Sequence, residues 1–128
     1  MDLFEEMRFA LGNPFDLKSD ENHLRSGVPL RRLLPQDALR LATLDGAEAL
    51  GLAGCIGSLE KGKQADVVAV DLSGAHTQPV FSPIDTLVLS AKASDVRMTM
   101  VAGEILFDDG TISGLSESEI FDQIHRVS

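Results

Sequence analysis

Apolar side chains recur at three- and four-residue steps in two stretches of the first half of the chain. In residues 2–11 they are Leu3, Phe4, Met7, Ala10 and Leu11. This spacing predicts an amphipathic helix that Gly12-Asn13-Pro14 ends. Residues 15–32 are polar and aperiodic, which predicts a loop.

A second helical stretch is predicted to begin at Pro35, which has no N–H to leave unpaired in a first turn. We expect it to break between Thr43 and Asp45. Asp45 then caps a short helix over residues 46–50, and Gly51 ends that helix in the left-handed conformation.

The apolar period changes to two after Gly54. Residues 56–59 predict a short strand, and the charged turn that follows places Gly62 at positive φ. The continuous apolar run at residues 67–70 predicts a strand buried on both faces. Residues 84–89 fit either a strand or a helical turn.

Alternation at residues 96–101 predicts a half-buried strand with Met98 and Met100 in the core. Ala102-Gly103 fits a two-residue hairpin turn into a strand at residues 104–107. A last helix is predicted from its capping signals. These are Ser116 as N-cap, Glu119 as its partner, and Leu115 with Ile120 as a hydrophobic staple.

The charge balance excludes one class of partner. Twenty acidic and eleven basic residues give a net charge of −9, and the basic residues are scattered apart from Arg31-Arg32. Nucleic-acid binding needs Lys and Arg on one face, so no nucleic-acid partner is expected. No window is long and apolar enough to span a membrane, and we expect a cytoplasmic protein. The lone Cys55 is interpreted as a small buried residue.

Candidate catalytic groups are sparse. His23, His76 and His125 lie about fifty residues apart, without His-x-His or H-E-x-x-H spacing, and are interpreted as exposed histidines. Asp66 and Asp71 flank a predicted strand and are interpreted as solvated strand-end acids. We therefore predict no catalytic, cofactor-binding or metal-binding residue in this chain.

One segment carries a family resemblance. It reads Ile56-Gly57-Ser58-Leu59-Glu60-Lys61-Gly62-Lys63-Gln64-Ala65-Asp66 and follows Thr43-Leu44-Asp45-Gly46-Ala47. With Asp95-Val96-Arg97 and Val101-Ala102-Gly103-Glu104 later, this order resembles the C-terminal region of the metal-dependent amidohydrolase superfamily. The resemblance is to its aminohydrolase and chlorohydrolase branch, which includes cytosine- and adenosine-deaminase-like enzymes.

The resemblance implies an α+β fold made of two incomplete pieces. Residues 1–52 would be the last helices of a truncated (β/α)₈ barrel, since 128 residues are too few for a whole barrel. Residues 53–112 would form part of a small composite β-sandwich, and residues 113–128 a C-terminal helix.

The implied activity belongs to a longer enzyme. Family enzymes hydrolyse a C–N or C–Cl bond of a heterocycle, and the zinc or iron expected in the full-length form binds upstream of the segment matching Met1. This chain is thus expected to be an inactive C-terminal fragment, either a natural short reading frame or an excised piece. The alternative is a free-standing module that binds itself or a partner. Homo-oligomers through exposed strand edges or the N-terminal helix are expected.

Overall fold

A computed structural model describes residues 2–12, 33–114 and 126. The predicted loop at residues 15–32, with His23 and Arg31-Arg32, lies outside this part of the chain. So do the capping box at Ser116 and Glu119, the hydrophobic staple and His125.

The first helix, α1, covers Leu3–Gly12, as its apolar spacing predicts. The carboxylate of Asp2 accepts the Phe4 N–H at 2.9 Å and satisfies one of the free donors of the first turn. Met7 is buried and packs with Ala38 and Val88 in the core. The helix therefore docks on the helical region that begins at Pro35 and on the helix that carries Val88.

Residues 35–49 form one continuous helical rod rather than two helices. It consists of α2 (Pro35–Arg40), a π-helical turn (Leu41–Asp45) and α3 (Gly46–Ala49). The predicted break between Thr43 and Asp45 is therefore wrong, because the π-helical turn carries the backbone through it. The predicted cap at Asp45 is also wrong, since its carboxylate instead accepts Arg40 Nε at 2.7 Å.

The end of α3 follows the sequence prediction. Gly51 has φ +72°. The Leu52 N–H donates to Ala47 O at 2.8 Å and the Gly51 N–H to Glu48 O at 2.9 Å. This is a Schellman motif, which satisfies the last carbonyls of a helix and favours glycine at its left-handed position.

Residues 56–59 do not form the predicted strand. The N–H groups of Cys55 and Ile56 both donate to Leu52 O, so the chain turns here instead of extending. Gly57 then adopts φ +90° beside α3. The predicted strand is therefore wrong, and close packing against the helix decides the backbone.

Four antiparallel strands form the sheet in the order β1 to β4. They are β1 (Val67–Val70), β2 (Val96–Val101), β3 (Glu104–Asp108) and β4 (Thr111–Ile112). The predicted hairpin turn at Ala102-Gly103 joins β2 to β3, with φ values of +50° and +85°. Positive φ at both turn residues matches the right-handed twist of the strands.

Burial in β1 differs from the prediction. Val68 is 55% exposed, while its neighbours in the strand are half-buried. The prediction that this strand is buried on both faces is therefore wrong for the described part of the chain. In β2, Val96, Met98 and Met100 are half-buried and Arg97 and Val101 are exposed, as the alternation predicts. Thr99 is half-buried as well, so the alternation holds only in part, and neither Met98 nor Met100 belongs to the buried core cluster of the described residues.

The undecided segment at residues 84–89 is helical. Helix α4 covers Pro83–Leu89, with Pro83 in its first turn and Ser82 as its N-cap, accepting the Asp85 N–H at 3.3 Å. Val88 is fully buried and joins the helical core. Two 3₁₀ turns, Ala75–Thr77 and Ala93–Asp95, precede α4 and β2.

The fold is thus a layer of helices beside a four-stranded antiparallel sheet, which confirms the α+β class. Within residues 2–12, 33–114 and 126, no helix is long and apolar enough to cross a membrane.

Candidate functional site

An open groove lies between the helices and the sheet. We call it the helix–sheet groove; its volume is about 740 Å³. Side chains of α1, the helical rod, residues 56–59 and β1 line it. Several of the large apolar side chains along it are exposed: Leu3 (55%), Leu50 (74%), Leu59 (76%) and Val68 (55%).

Asp66 is the one charged residue among the described residues that line the groove. Its Oδ1 accepts the Ala102 N–H at 2.7 Å. The Gly103 N–H donates to Ala65 O at 3.1 Å beside it. Asp66 therefore fixes the β2–β3 turn against the start of β1, which is a structural role for a side chain that the sequence places at a strand end.

Arg97 joins two carboxylates across the sheet. Its Nη2 lies 3.1 Å from Asp71 Oδ2 and its Nη1 lies 2.9 Å from Asp109 Oδ1. The Asp109 N–H also donates to Arg97 O at 2.7 Å. This network fastens the end of β1 and the β3–β4 turn to β2. Both carboxylates raise the pKa of Arg97.

Asp71 is the most strongly shifted acid in the described part of the chain. Hydrogen bonds from Ser73, and then from Arg97, lower the pKa of its carboxyl to about 2. The Ser73 N–H donates to Asp71 Oδ1 at 2.8 Å. Because the side chain remains partly exposed to solvent, this arrangement organises the loop after β1 and does not create a buried acid or base.

His76 lies in the 3₁₀ turn after β1, and its Nε2 is 2.8 Å from Asp95 Oδ2. The same carboxylate oxygen accepts the Lys92 N–H at 2.9 Å. These contacts, with the one from His76 first, lower the pKa of Asp95. His76 is exposed, as the sequence predicts, and the pair ties the loop at residues 72–78 to the start of β2.

The turn at residues 58–63 holds a smaller polar group. Lys63 Nζ lies 2.6 Å from Ser58 Oγ and 3.3 Å from Glu60 Oε1. The hydrogen bond from Ser58 and the nearby Lys63 lower the pKa of Glu60. Gly62 has φ +96° in this turn, as predicted. These contacts stabilise the turn and provide no nucleophile.

The described residues do not assemble a metal site. Within residues 2–12, 33–114 and 126, no three His, Cys, Asp or Glu side chains converge so that they could hold an ion. The histidine–carboxylate pair offers one imidazole and one carboxylate, whereas a catalytic zinc needs three protein ligands. Cys55 is exposed, so the prediction that it is buried is wrong.

Sequence reasoning found none of these side-chain pairings. Arg97 is recognisable as an outward-facing residue of an alternating strand, and Asp109-Gly110 as a turn, but their pairing depends on strand register. His76 and Asp95 are separated by 19 positions and meet only once both 3₁₀ turns are folded.

We predict that Ser73→Ala raises the pKa of Asp71, because Ser73 supplies the strongest contacts to its carboxylate. An acid with a depressed pKa adds stability above its unfolded value of 3.8, and this stability is lost as pH falls through about 2. In the Ser73→Ala variant this contribution to stability should be smaller and should be lost at a higher pH than in the unchanged chain. Carboxyl carbon NMR titration measures the midpoint, with Ser94→Ala as control. An unchanged Asp71 midpoint in Ser73→Ala would contradict the assignment.

Comparison with known proteins identifies the family. The model of the amidohydrolase family matches residues 1–106. The chain is 35% identical over 128 residues to the 5'-deoxyadenosine deaminase of Methanosarcina barkeri, covering all of this chain and 27% of that protein. It is 44% identical over 89 residues to the 5-methylthioadenosine/S-adenosylhomocysteine deaminase of Moorella thermoacetica, covering 70% of this chain and 21% of that protein.

A solved structure agrees with this. The zinc-bound adenosine deaminase of Xanthomonas campestris superposes with a TM-score of 0.80 and 31% identity, covering 97% of this chain and 26% of that one. The chain spans about a quarter of the length of these relatives. The family model matches residues 1–106, and the 35% identity to the Methanosarcina barkeri protein extends over the whole chain. The chain therefore belongs to the amidohydrolase family.

Proposed function

We propose that this chain is the C-terminal part of a metal-dependent hydrolytic deaminase that acts on an adenosine-type compound. The observation that carries the proposal is the 35% identity, over the whole chain, to a protein named 5'-deoxyadenosine deaminase. In such a reaction water adds to the ring carbon that bears the amine, and ammonia leaves.

The proposed role of this chain within the enzyme is structural. Residues 1–52 would cover the outside of a (β/α)₈ barrel and residues 53–112 would form part of a composite sandwich. The exposed apolar side chains along the helix–sheet groove support this, because large apolar patches on a folded surface commonly mark contacts with other protein.

The metal would be held by other parts of the enzyme. The described residues do not fit a zinc ion, and the relative from Xanthomonas campestris carries zinc in a chain about four times as long. In this proposal none of the described residues takes part in a catalytic step. Its contribution to the reaction would be to stabilise the part that holds the metal.

The isolated chain is therefore predicted to release no ammonia from adenosine, 5'-deoxyadenosine, 5-methylthioadenosine or S-adenosylhomocysteine. The proposed role within a whole enzyme is tested with a chimera, in which this chain replaces the matching quarter of the Xanthomonas campestris deaminase. Zinc-dependent ammonia release by the chimera is expected, with the same enzyme lacking that quarter as the inactive control. Turnover by the isolated chain, or a folded and zinc-loaded chimera without turnover, would refute the proposal.

We also propose that the isolated chain self-associates when it lacks the rest of the enzyme. β1 forms one end of the described sheet, and Val68 within it is 55% exposed. Strand edges of this kind pair readily with other chains. α1 offers a second apolar surface through Leu3 and Phe9, which are 55% and 69% exposed.

A further inference from the structure

The dipeptide Asp-Gly occurs twice in the chain, at Asp45-Gly46 and at Asp109-Gly110. Glycine places no side chain beside the nitrogen that follows the aspartate. That nitrogen can therefore attack the aspartate Cγ and close a succinimide ring. An arginine holds Oδ1 of both aspartates, Arg40 Nε at 2.7 Å in the first site and Arg97 Nη1 at 2.9 Å in the second. The two sites carry the same reactive groups and a similar restraint, so the backbone around them decides their reactivity.

The helical rod protects the first site. Gly46 has helical φ and ψ of −61° and −44°, and its N–H donates to Thr43 O. Attack on the Asp45 carboxyl requires this hydrogen bond to break and the rod to unwind. Space is also limited, because a Cβ at Gly46 would lie 3.1 Å from Leu41 O. The Gly46 nitrogen is thus unavailable while the rod is folded.

The second site lies in the turn between β3 and β4. Asp109 and Gly110 have φ values of +40° and +93° there. The value at Asp109 is one that residues other than glycine seldom adopt. The Gly110 N–H donates to no backbone group of another described residue, and the space around its Cα is open. The Asp109 side chain is 74% exposed, against 31% for Asp45, so the ring and an incoming water molecule both have room.

Few contacts keep this turn closed. β4 is a two-residue strand, both of its residues are exposed, and it pairs with the end of β3. Segments with few buried contacts open locally at much less than the free energy of global unfolding. Opening of the turn allows the Asp109 carboxyl to rotate toward the Gly110 nitrogen.

We propose that Asp109-Gly110 is a site of spontaneous isoaspartate formation, independent of the reaction that the whole enzyme catalyses. The Gly110 nitrogen attacks the protonated Asp109 carboxyl, a C–N bond forms, and the amide proton leaves with the hydroxyl as water. Water then adds to one of the two ring carbonyls and breaks its C–N bond. Cleavage at Cγ restores aspartate. Cleavage at the main-chain carbonyl leaves Gly110 attached through the side chain, beside a free α-carboxylate.

The isoaspartyl product weakens one end of the sheet. It adds one methylene carbon to the main chain, so the two-residue turn can no longer hold Asp108 opposite Thr111. The carboxylate also moves onto the main chain, and Arg97 loses the Oδ1 that it holds at 2.9 Å. Arg97 keeps its contact with Asp71 on the other side. The modification therefore releases the β3–β4 turn from β2.

Incubation of the 128-residue chain in water enriched in heavy oxygen tests the site. Each passage through the succinimide places one heavy oxygen on the aspartate. Trypsin separates the two sites of the unchanged chain, since Asp45 lies in residues 41–61 and Asp109 in residues 98–126. Electron-transfer fragmentation then shows which residue carries the label and whether it is isoaspartate. In the folded chain we expect label at Asp109 at least about tenfold faster than at Asp45, with isoaspartate accumulating at Asp109.

The unfolded chain is the first control. In concentrated urea both dipeptides should take up label at similar rates, because the rod no longer protects Asp45. Equal labelling of the two aspartates in the folded chain would overturn the proposal. A difference that persisted in urea would also overturn it, because the neighbouring residues and not the fold would then decide the site.

A matched pair of variants tests the role of the backbone. Arg97→Met frees the Asp109 carboxyl, so labelling there should rise about two- to fivefold, as expected for loss of an exposed ion pair. Arg40→Met frees the Asp45 carboxyl in the same way but leaves the Gly46 N–H within the rod. Labelling at Asp45 should therefore stay as slow as in the unchanged chain. An equal rise at both aspartates would show that the rod does not protect Asp45, and the proposal would be wrong.

Discussion

Gly57→Ala is expected to destabilise the isolated chain by about 2 to 4 kcal/mol, which makes it the most damaging small substitution that we predict. Gly57 has φ +90°, a left-handed conformation that costs an L-residue about 1 to 2 kcal/mol. A methyl group there would also lie 2.7 Å from the Ala47 Cβ. Real Cβ atoms do not approach each other that closely, so one of the two segments must move.

The neighbours of this methyl group cannot easily yield. Besides the Ala47 Cβ, it would lie 3.1 Å from the Leu44 Cα and 3.2 Å from the Thr43 carbonyl oxygen. All belong to the helical rod, and Ala47 itself is only 4% exposed. Relief therefore requires residues 56–59 to move away from the rod, and overpacking of this kind costs about 1 to 3 kcal/mol.

Two other glycines separate the conformational cost from the steric cost. Gly62→Ala places a methyl group at φ +96° in open space, so it should lower the free energy of unfolding by only about 1 to 2 kcal/mol. Gly54→Ala has open space and no positive φ, and should be close to neutral. Urea unfolding of the three variants gives the comparison. If Gly57→Ala lowers the free energy of unfolding no more than Gly62→Ala does, residues 56–59 do not lie as close to the rod as described.

The same region shows which features the sequence could predict. The Schellman motif at Gly51 and the hairpin turn at Ala102-Gly103 are local, because the residues that satisfy the backbone lie within a few positions. Their turn chemistry can be read directly from the order of residues. The capping role of Ser82 is equally local, although the apolar residues that follow it left a strand possible.

Features that depend on distant parts of the chain could not be predicted. The short apolar segment at residues 56–59 predicts a strand, but packing of Gly57 on the helical rod imposes turns. Likewise, the apolar run of β1 indicates burial on both faces, yet Val68 is exposed along the groove. A continuous apolar run does not by itself distinguish a strand that is covered on both faces from one that keeps a face exposed.

The candidate site illustrates the same limit. The family resemblance could be read from residues 56–66 and 95–104, and the match to residues 1–106 confirms it. The helix–sheet groove could not be read, because its lining comes from segments up to 96 positions apart, from Leu3 to Thr99. The predicted absence of catalytic and metal-binding residues stays a prediction for the whole chain.

Arg8→Met is expected to lower the free energy of unfolding by about 2 to 3 kcal/mol, because Arg8 donates to one backbone carbonyl in the last turn of α4 and to one just after the helix. Its Nη1 lies 2.8 Å from Ala91 O and 3.4 Å from Val88 O. The last carbonyls of a helix lack partners within the helix, and a nearby cation both hydrogen-bonds them and favours the negative end of the helix dipole. Val88 and Ala91 are fully buried, so water cannot easily replace the guanidinium.

The contact joins two elements that the sequence separates by more than 80 positions. Asp2 adds a second link from the same end of the chain, since its Oδ2 accepts the Ala93 N–H at 3.3 Å. Losing Arg8 should therefore weaken the docking of α1 as well as the end of α4. Met is the suitable substitution because it keeps the apolar stem of the side chain in place and removes only the donors.

Two comparisons isolate the hydrogen bonds to the carbonyls. Arg8→Lys should lower the free energy of unfolding less than Arg8→Met does. Its ammonium group can still donate to one carbonyl but cannot reproduce the planar fork of the guanidinium. Arg40→Met removes a guanidinium whose ion pair with Asp45 is exposed, and should cost less than about 1 kcal/mol. Urea unfolding gives the three free energies, and hydrogen exchange at the amides of α1 reports docking of the helix. Equal costs for Arg8→Met and Arg40→Met, with unchanged exchange in α1, would show that Arg8 does not hold α1 against α4.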